Sequence, residues 1–231
     1  MLRVVMLIAL ALAVLARAAA AEGAPPLPDG FVHLAEVAPA IRQEMRYFTD
    51  DNFVGTRIDG YLAPTCILTR PAAAALKAVE AELAPLGLGL KVYDCYRPQR
   101  AVDHFIRWAR DLADTRMKSA FYPDVDKKDL FKDGYIAARS SHTRGSTADL
   151  TLVAIAGEGA GRDIDMGTGF DLFSPKSWPT SLAMTGDQRA HRLLLQTLMV
   201  KHGFAPYPQE WWHFTLKGEP FPDTYFDFPV Q

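Results

Sequence analysis

Between Ser140 and Leu152 the chain reads SSHTRGSTADLTL, with His142 and Asp149 seven residues apart on either side of Gly145. An imidazole and a carboxylate are both ligands for a divalent cation such as zinc. Gly145 permits a tight turn that folds the histidine back over the end of the apolar run LTLV. Side chains alternate along a strand, so Asp149 can face either inward or toward a cleft. A catalytic zinc site keeps three protein ligands and one open position, so a third ligand is required. Of the six histidines, His33 is isolated near the start, and His104, His191 and His202 fall on helical segments. His213, in EWWHF, remains. Three positions before it stands Glu210, a residue type that can act as general base toward a metal-activated water. On a regular strand, residues three apart point to opposite faces, so the pair meets only if a turn or bulge intervenes at Glu210. Taken singly, each has a plainer reading: Glu210 as a surface carboxylate, His213 as filler between Trp212 and Phe214.

Together, His–x6–Asp and Glu–x2–His are far more specific, and in them the sequence resembles the VanX-like D-alanyl-D-alanine dipeptidases. These are zinc enzymes of the fold shared by D,D-carboxypeptidases and hedgehog-type domains. The resemblance runs from about Val37 to the C-terminus, through DNFVG, DGY, YDCYRPQRAVD, GYIAARSSHTRGSTADLTL, MGTGFDLF, EWWHF and YFDFPV. It implies one zinc ion per chain held by His142, Asp149 and His213, with Glu210 as catalytic base. It also implies that Arg97, in YDCYRP, stabilises the oxyanion formed as water adds to the scissile carbonyl. A guanidinium at a strand end, with Pro98 fixing the next backbone angle, can aim a permanent charge at a developing alkoxide. The plainer role for Arg97, an ion pair with Asp94, is compatible with this if Asp94 orients it.

The implied substrate is a small zwitterionic D,D-dipeptide, D-Ala-D-Ala. Asp171 and Tyr47 are the candidates for its ammonium, and Ser140 and Tyr61 for lining the pocket. Closing a cavity around both termini makes a dipeptidase, whereas a D,D-carboxypeptidase acting on longer muropeptides leaves one end open. That enzyme, and a catalytically inactive zinc module that binds wall peptide, are the alternatives. Many cytoplasmic members of the family it resembles carry Gly where Cys95 stands, so Cys95 departs from that pattern.

The elements that must position these residues follow from periodicity and punctuation. Leu76, Val79 and Leu83 repeat at helical spacing in a helix from Arg70 to about Leu86, with Thr69 as cap and Pro71 in the first turn. LKVYDCY alternates as a strand, and Pro98 opens a second helix with Val102, Phe105, Ile106 and Ala109 on one face. Asp124 to Asp133 reads as a surface loop. Asp187 is the expected cap of a third helix, QRAHRLLLQTLMVKHG, closed by Gly203. EWWHFTL follows as a strand. The pattern is α+β, an antiparallel sheet flanked by helices.

The 231 residues, 49% hydrophobic and 23% charged, have ordinary globular composition and suggest a single domain. The N-terminus, with Arg3, an apolar run from Val4 to Ala16 and small residues from Ala18 to Ala21, has the pattern of a cleaved secretory signal peptide. The expected organisation is therefore a signal peptide over 1–21 and one zinc peptidase domain over 22–231, periplasmic and without stable membrane association after cleavage. Removing Arg3 and Arg17 leaves 23 basic against 27 acidic residues, a net charge of −4. With no basic run, nucleic acid is not expected as a partner. Nothing in the sequence specifies an oligomeric state. The two cysteines, Cys66 and Cys95, invite a disulfide in an exported chain, the alternative being two buried thiols.

Overall fold

The computed structural model describes residues 26–231, so the expected signal peptide over 1–21 lies outside the described residues. Phe31–His33 (β1) runs into a one-turn helix, Leu34–Val37 (α1), and then a two-residue strand, Arg42–Gln43 (β2). Ile67–Thr69 (β3) leads without a break into the helix Arg70–Leu83 (α2), which tightens into a 3-10 turn over Ala84–Leu86. Gly87 then takes the left-handed conformation, φ 71°, that reverses the chain into Leu88–Asp94 (β4). Gln99–Arg110 (α3) and the short Lys118–Phe121 (α4) follow, then Thr147–Ala154 (β5), Gly186–Lys201 (α5), Phe204–Tyr207 (β6) and Glu210–Leu216 (β7).

Five strands form one sheet in the order β2-β4-β5-β7-β6, and β1 pairs with β3 as a separate ribbon. The α+β architecture is the one expected, and β4, β5, β7 and β6 pair antiparallel. The edge differs: β2 lies parallel to β4, Arg42 opposite Lys91. A parallel neighbour needs a long crossover, and the segment carrying β3 and α2 supplies it. A two-residue strand has no alternation to read, which is why this pairing is silent in the sequence. Among the described residues no helix is long and apolar enough to cross a membrane.

The helices bury the faces their spacing specifies. Leu76, Val79 and Leu83 of α2 are fully buried, each burial contributing about 1.5–3 kcal/mol. Val102, Phe105 and Ala109 of α3 are buried and Ile106 half-buried. One capping assignment is refined and one corrected. Thr69 occupies the N-cap position of α2 but its hydroxyl makes no capping bond, lying instead 2.6 Å from Ser146 Oγ. Thr185, not Asp187, caps α5, through a reciprocal capping box with Gln188, and Asp187 falls in the first turn. The segment from Asp124 to Asp133 is only partly surface. Lys127 is buried, its ammonium 4.0 Å from the centre of the Trp108 ring and bonded to the Asp114 carbonyl.

β5 is the central strand and alternates in chemistry as well as direction. Ala148, Leu150 and Leu152 lie on one face, Thr147, Asp149 and Thr151 on the other, and all six are buried. A polar residue row on a buried strand marks the side of the sheet on which the site is built.

Candidate active site

Three adjacent strands place three functional side chains in a row. Asp149 stands opposite Asp94 across β4 and β5, and opposite His213 across β5 and β7. Directly opposed residues of antiparallel strands project to the same face, so the pairing register alone brings Asp149 and His213 together. His142 arrives from the 3-10 turn Ser141–Arg144, just before β5. That turn ends at Gly145, φ 81°, where an added Cβ would collide with the Phe31 ring, so both backbone angle and space demand glycine.

The last residues of β4 and those just after it fix His142. Its Nδ1 lies 2.8 Å from the Cys95 carbonyl, and its own carbonyl accepts from Arg97 N–H at 3.3 Å. A carbonyl can only accept, so Nδ1 carries the proton and Nε2 presents a lone pair. His213 is fixed the other way round. Its Nε2 is 3.2 Å from Ser141 Oγ, which leaves Nδ1 facing Asp149.

The donor atoms suit one small cation. His142 Nε2 lies 3.2 Å from Asp149 Oδ2 and 3.2 Å from His213 Nδ1, and His213 Nδ1 lies 3.1 Å from Asp149 Oδ1. Donors about 2.0–2.2 Å from a tetrahedral zinc stand roughly 3.3–3.6 Å apart, close to this spacing. Asp149 Oδ1 is buried without a hydrogen-bond partner, and two imidazole lone pairs face each other beside it. A cation at their common focus satisfies all three. Burial works to raise the Asp149 carboxyl, but His142 and His213 outweigh it and hold it well below the usual carboxylate range, ready to ligate.

Glu210 reaches the same focus, Oε2 3.5 Å from His213 Nδ1. Consecutive β6 residues Pro206 and Tyr207 pair with Phe214 and Glu210, so Trp211, Trp212 and His213 form an excursion of β7. This is the irregularity that the i, i+3 spacing requires. Burial, with Asp149 adding to it, pushes the Glu210 carboxyl up to about 7 against the pull of His213 and Arg97.

Arg97 packs against the adjoining Tyr47 and Phe105 rings, 5.0 and 5.2 Å from their centres. Its Nε and Nη2 both donate to Asp94 Oδ2 at 2.9 Å, and Nη2 is 3.7 Å from Asp149. Ion pair and site residue are thus one and the same.

A cavity of about 370 Å³ opens over these groups, lined also by Tyr47, Ser140 and Asp171. Asp171 adopts φ 59°, a left-handed angle costing a non-glycine residue about 1 kcal/mol, and accepts the Tyr47 hydroxyl at 2.8 Å. Burial and then the Asp149 charge push its carboxyl well above the ordinary value. Tyr61 is corrected: it does not line the cavity. It is fully buried behind the site, donating to Asp94 Oδ1 at 2.6 Å.

Sequence reasoning passed over Arg192, whose buried guanidinium ties down the Asp171 loop. It donates to the carbonyls of Met166 at 2.7 Å and of Lys176 and Trp178 at 2.9 Å. A lone arginine on an amphipathic helix gives no sign of such a role. Ser141, inside the SSH motif, was visible but not singled out. His33, His104, His191 and His202 contribute nothing to the donor cluster. Cys66 and Cys95 are joined, Cα atoms 5.4 Å apart, tying the start of β3 to the residue after β4.

Comparison with known proteins identifies the family. A family model of peptidase M15, described as D-ala-D-ala dipeptidase, matches residues 28–231. A D-alanyl-D-alanine dipeptidase of Streptomyces coelicolor is 44% identical over 200 residues, covering 87% of this chain and 98% of that protein. One of Enterococcus faecalis is 40% identical over 205 residues, covering 89% and 100%. Among solved structures, a zinc complex of a VanY D,D-pentapeptidase mutant aligns with TM-score 0.39 and 16% identity over 68% of this chain and 77% of that one. With the match spanning nearly every described residue, the chain belongs to the D-Ala-D-Ala dipeptidase family of M15 peptidases.

Proposed function

We propose that this chain hydrolyses D-Ala-D-Ala to two molecules of D-alanine, using one zinc ion held by His142, Asp149 and His213. The observation that carries the reading is the meeting of three ligand atoms within 4.8 Å of one another, with the Glu210 carboxyl beside them. Zinc bound there supplies Lewis-acid polarisation of the scissile carbonyl and a lowered pKa for water. Glu210 accepts the proton that water loses as its oxygen bonds to the carbonyl carbon. A carboxyl near neutrality suits both halves of this task, since it must then give the proton to the leaving amine nitrogen as the C–N bond breaks. Arg97, held by Asp94, offers its charge to the oxyanion of the tetrahedral intermediate.

Asp171 and Tyr47 take the substrate ammonium, which favours a dipeptide over a longer stem whose corresponding nitrogen is acylated and uncharged. The chain acts outside the cytoplasm, on dipeptide arising in wall-peptide metabolism. The export-type N-terminus supports this, as does the Cys66–Cys95 bond, which belongs to an oxidising compartment. A dipeptide panel assayed with and without a chelator tests the activity. D-Ala-D-Ala should be cleaved, pentapeptide stems and N-acetylated dipeptide spared, and chelation should abolish turnover, with zinc restoring it. Preferential cleavage of the pentapeptide would overturn the reading. Cell fractionation tests the compartment, and activity confined to the cytoplasm would refute export.

A further inference from the structure

We propose that Arg139 receives the substrate's free carboxylate, so that the cavity reads both ends of a zwitterionic dipeptide. The inference rests on the dipeptidase reading above. Such a substrate brings a fixed positive charge, a fixed negative charge and, during reaction, a second negative charge. The acidic side chains lining the cavity are Asp149, Asp171 and Glu210, none of which can offer a carboxylate a positive charge. Apart from the two imidazoles, its cationic lining consists of Arg97 and Arg139.

Arg97 is already committed. Its Nε and Nη2 rest on Asp94 at 2.9 Å, and the adjoining Tyr47 and Phe105 rings pack against the guanidinium. What remains of its charge is directed at Asp149 and the reacting centre, 3.7 Å from that carboxylate. It cannot serve the oxyanion and a carboxylate one residue away at once.

Arg139 is in the opposite condition. Among the described residues it has no carboxylate within ion-pair distance, although it is exposed and borders the cavity. Its guanidinium lies 4.8 Å from the centre of the Tyr225 ring, which steers a long side chain without neutralising it. Arg144 shows the contrast. It approaches the same ring at 5.9 Å but is neutralised by Glu219, whose Oε1 lies 2.7 Å from Nη2. Only one of the two arginines at this ring is left with an unmatched charge, and it is the one that borders the cavity. Arg139 also directly precedes Ser140 and Ser141, so it enters from the segment that carries His142, whereas Asp171 enters from the loop after β5. A planar fork of N–H donors matches a carboxylate in two hydrogen bonds, which an ammonium cannot do.

The test compares D-Ala-D-Ala with its C-terminal amide, in which the same scissile bond is kept and the negative charge removed. In wild type the acid should be the better substrate. In Arg139→Gln the ratio of kcat/KM for acid over amide should fall about 10- to 100-fold, the range for removing a charge-assisted hydrogen bond, and chiefly through KM. Arg139→Lys should recover part of the ratio, because charge is kept and the fork lost. An unchanged ratio in Arg139→Gln, whatever happens to overall activity, overturns the proposal while leaving the dipeptidase reading intact. A zinc-loaded wild type that cleaves neither compound refutes the dipeptidase reading and the proposal with it.

Discussion

Asp149 and His213 face each other across β5 and β7 in direct register, so two of the three positions in the donor cluster are set by strand pairing and not by loop conformation. Side chains on paired strands are held more closely than side chains on loops, and a site made this way is formed before any ion arrives. Asp149→Asn keeps the shape and removes the charge. It should fold normally yet weaken zinc binding by at least about 100-fold, beyond the loss typical of removing an outer hydrogen-bond partner. Competition with a chromogenic chelator measures this. Undiminished affinity would place the metal elsewhere.

Glu210 should be separable from metal binding. Glu210→Gln should retain one zinc per chain and lose about 10²- to 10⁴-fold in kcat. Near-normal turnover would remove Glu210 from the role of base. The base works as carboxylate, so kcat/KM must fall as pH drops through its pKa. Burial sets that value at about 7 without metal, and a dication beside it favours the charged form, so the acid limb of the zinc enzyme should lie below 7. The sign reverses for stability of the metal-free protein. A carboxyl whose folded pKa is raised destabilises the fold once pH rises through that value, so Glu210→Gln should melt higher than wild type at pH 8 after zinc removal.

The residues of the donor cluster were legible because the resemblance to a known family is carried by short motifs whose internal spacing the fold preserves. His142 and Asp149 share one turn and strand, and Glu210 and His213 share one hairpin. The three-residue excursion of β7 was visible only as a requirement, since nothing in EWWHF announces a break in alternation. Tyr61 was placed one layer too far forward, because a motif tyrosine reads alike whether its hydroxyl meets substrate or, as here, Asp94. The parallel edge strand β2 and the clamp made by Arg192 depend on partners 49 and 26 positions away, and no local pattern encodes such pairings.

Asp94 and Tyr61 provide a graded test of how Arg97 is held. Asp94→Asn removes the charge on which Nε and Nη2 rest, so the guanidinium loses its aim, and kcat should fall about 10- to 100-fold with KM less affected. Tyr61→Phe leaves Arg97 its partner but orphans Asp94 Oδ1 in a fully buried setting. It should cost about 1–3 kcal/mol of stability and much less in kcat. Equal kinetic losses in both variants would show that the two act as one structural unit and not in sequence.

The Cys66–Cys95 bond ties stability to the metal site through one carbonyl. It closes a loop of 29 residues, which in the chain-entropy account contributes about 3–4 kcal/mol. For a domain of this size that is a fall in Tm of roughly 10 °C when both cysteines become serine. The carbonyl of Cys95 is also the acceptor that fixes the His142 tautomer at 2.8 Å. Loosening Cys95 therefore lets that ring turn, and the double serine variant should bind zinc more weakly even at temperatures where it is fully folded. Calorimetry of unfolding and zinc titration at 20 °C separate the two effects. A lowered Tm with unaltered zinc affinity would mean that β4 and the Arg97–His142 backbone bond hold the carbonyl in place unaided.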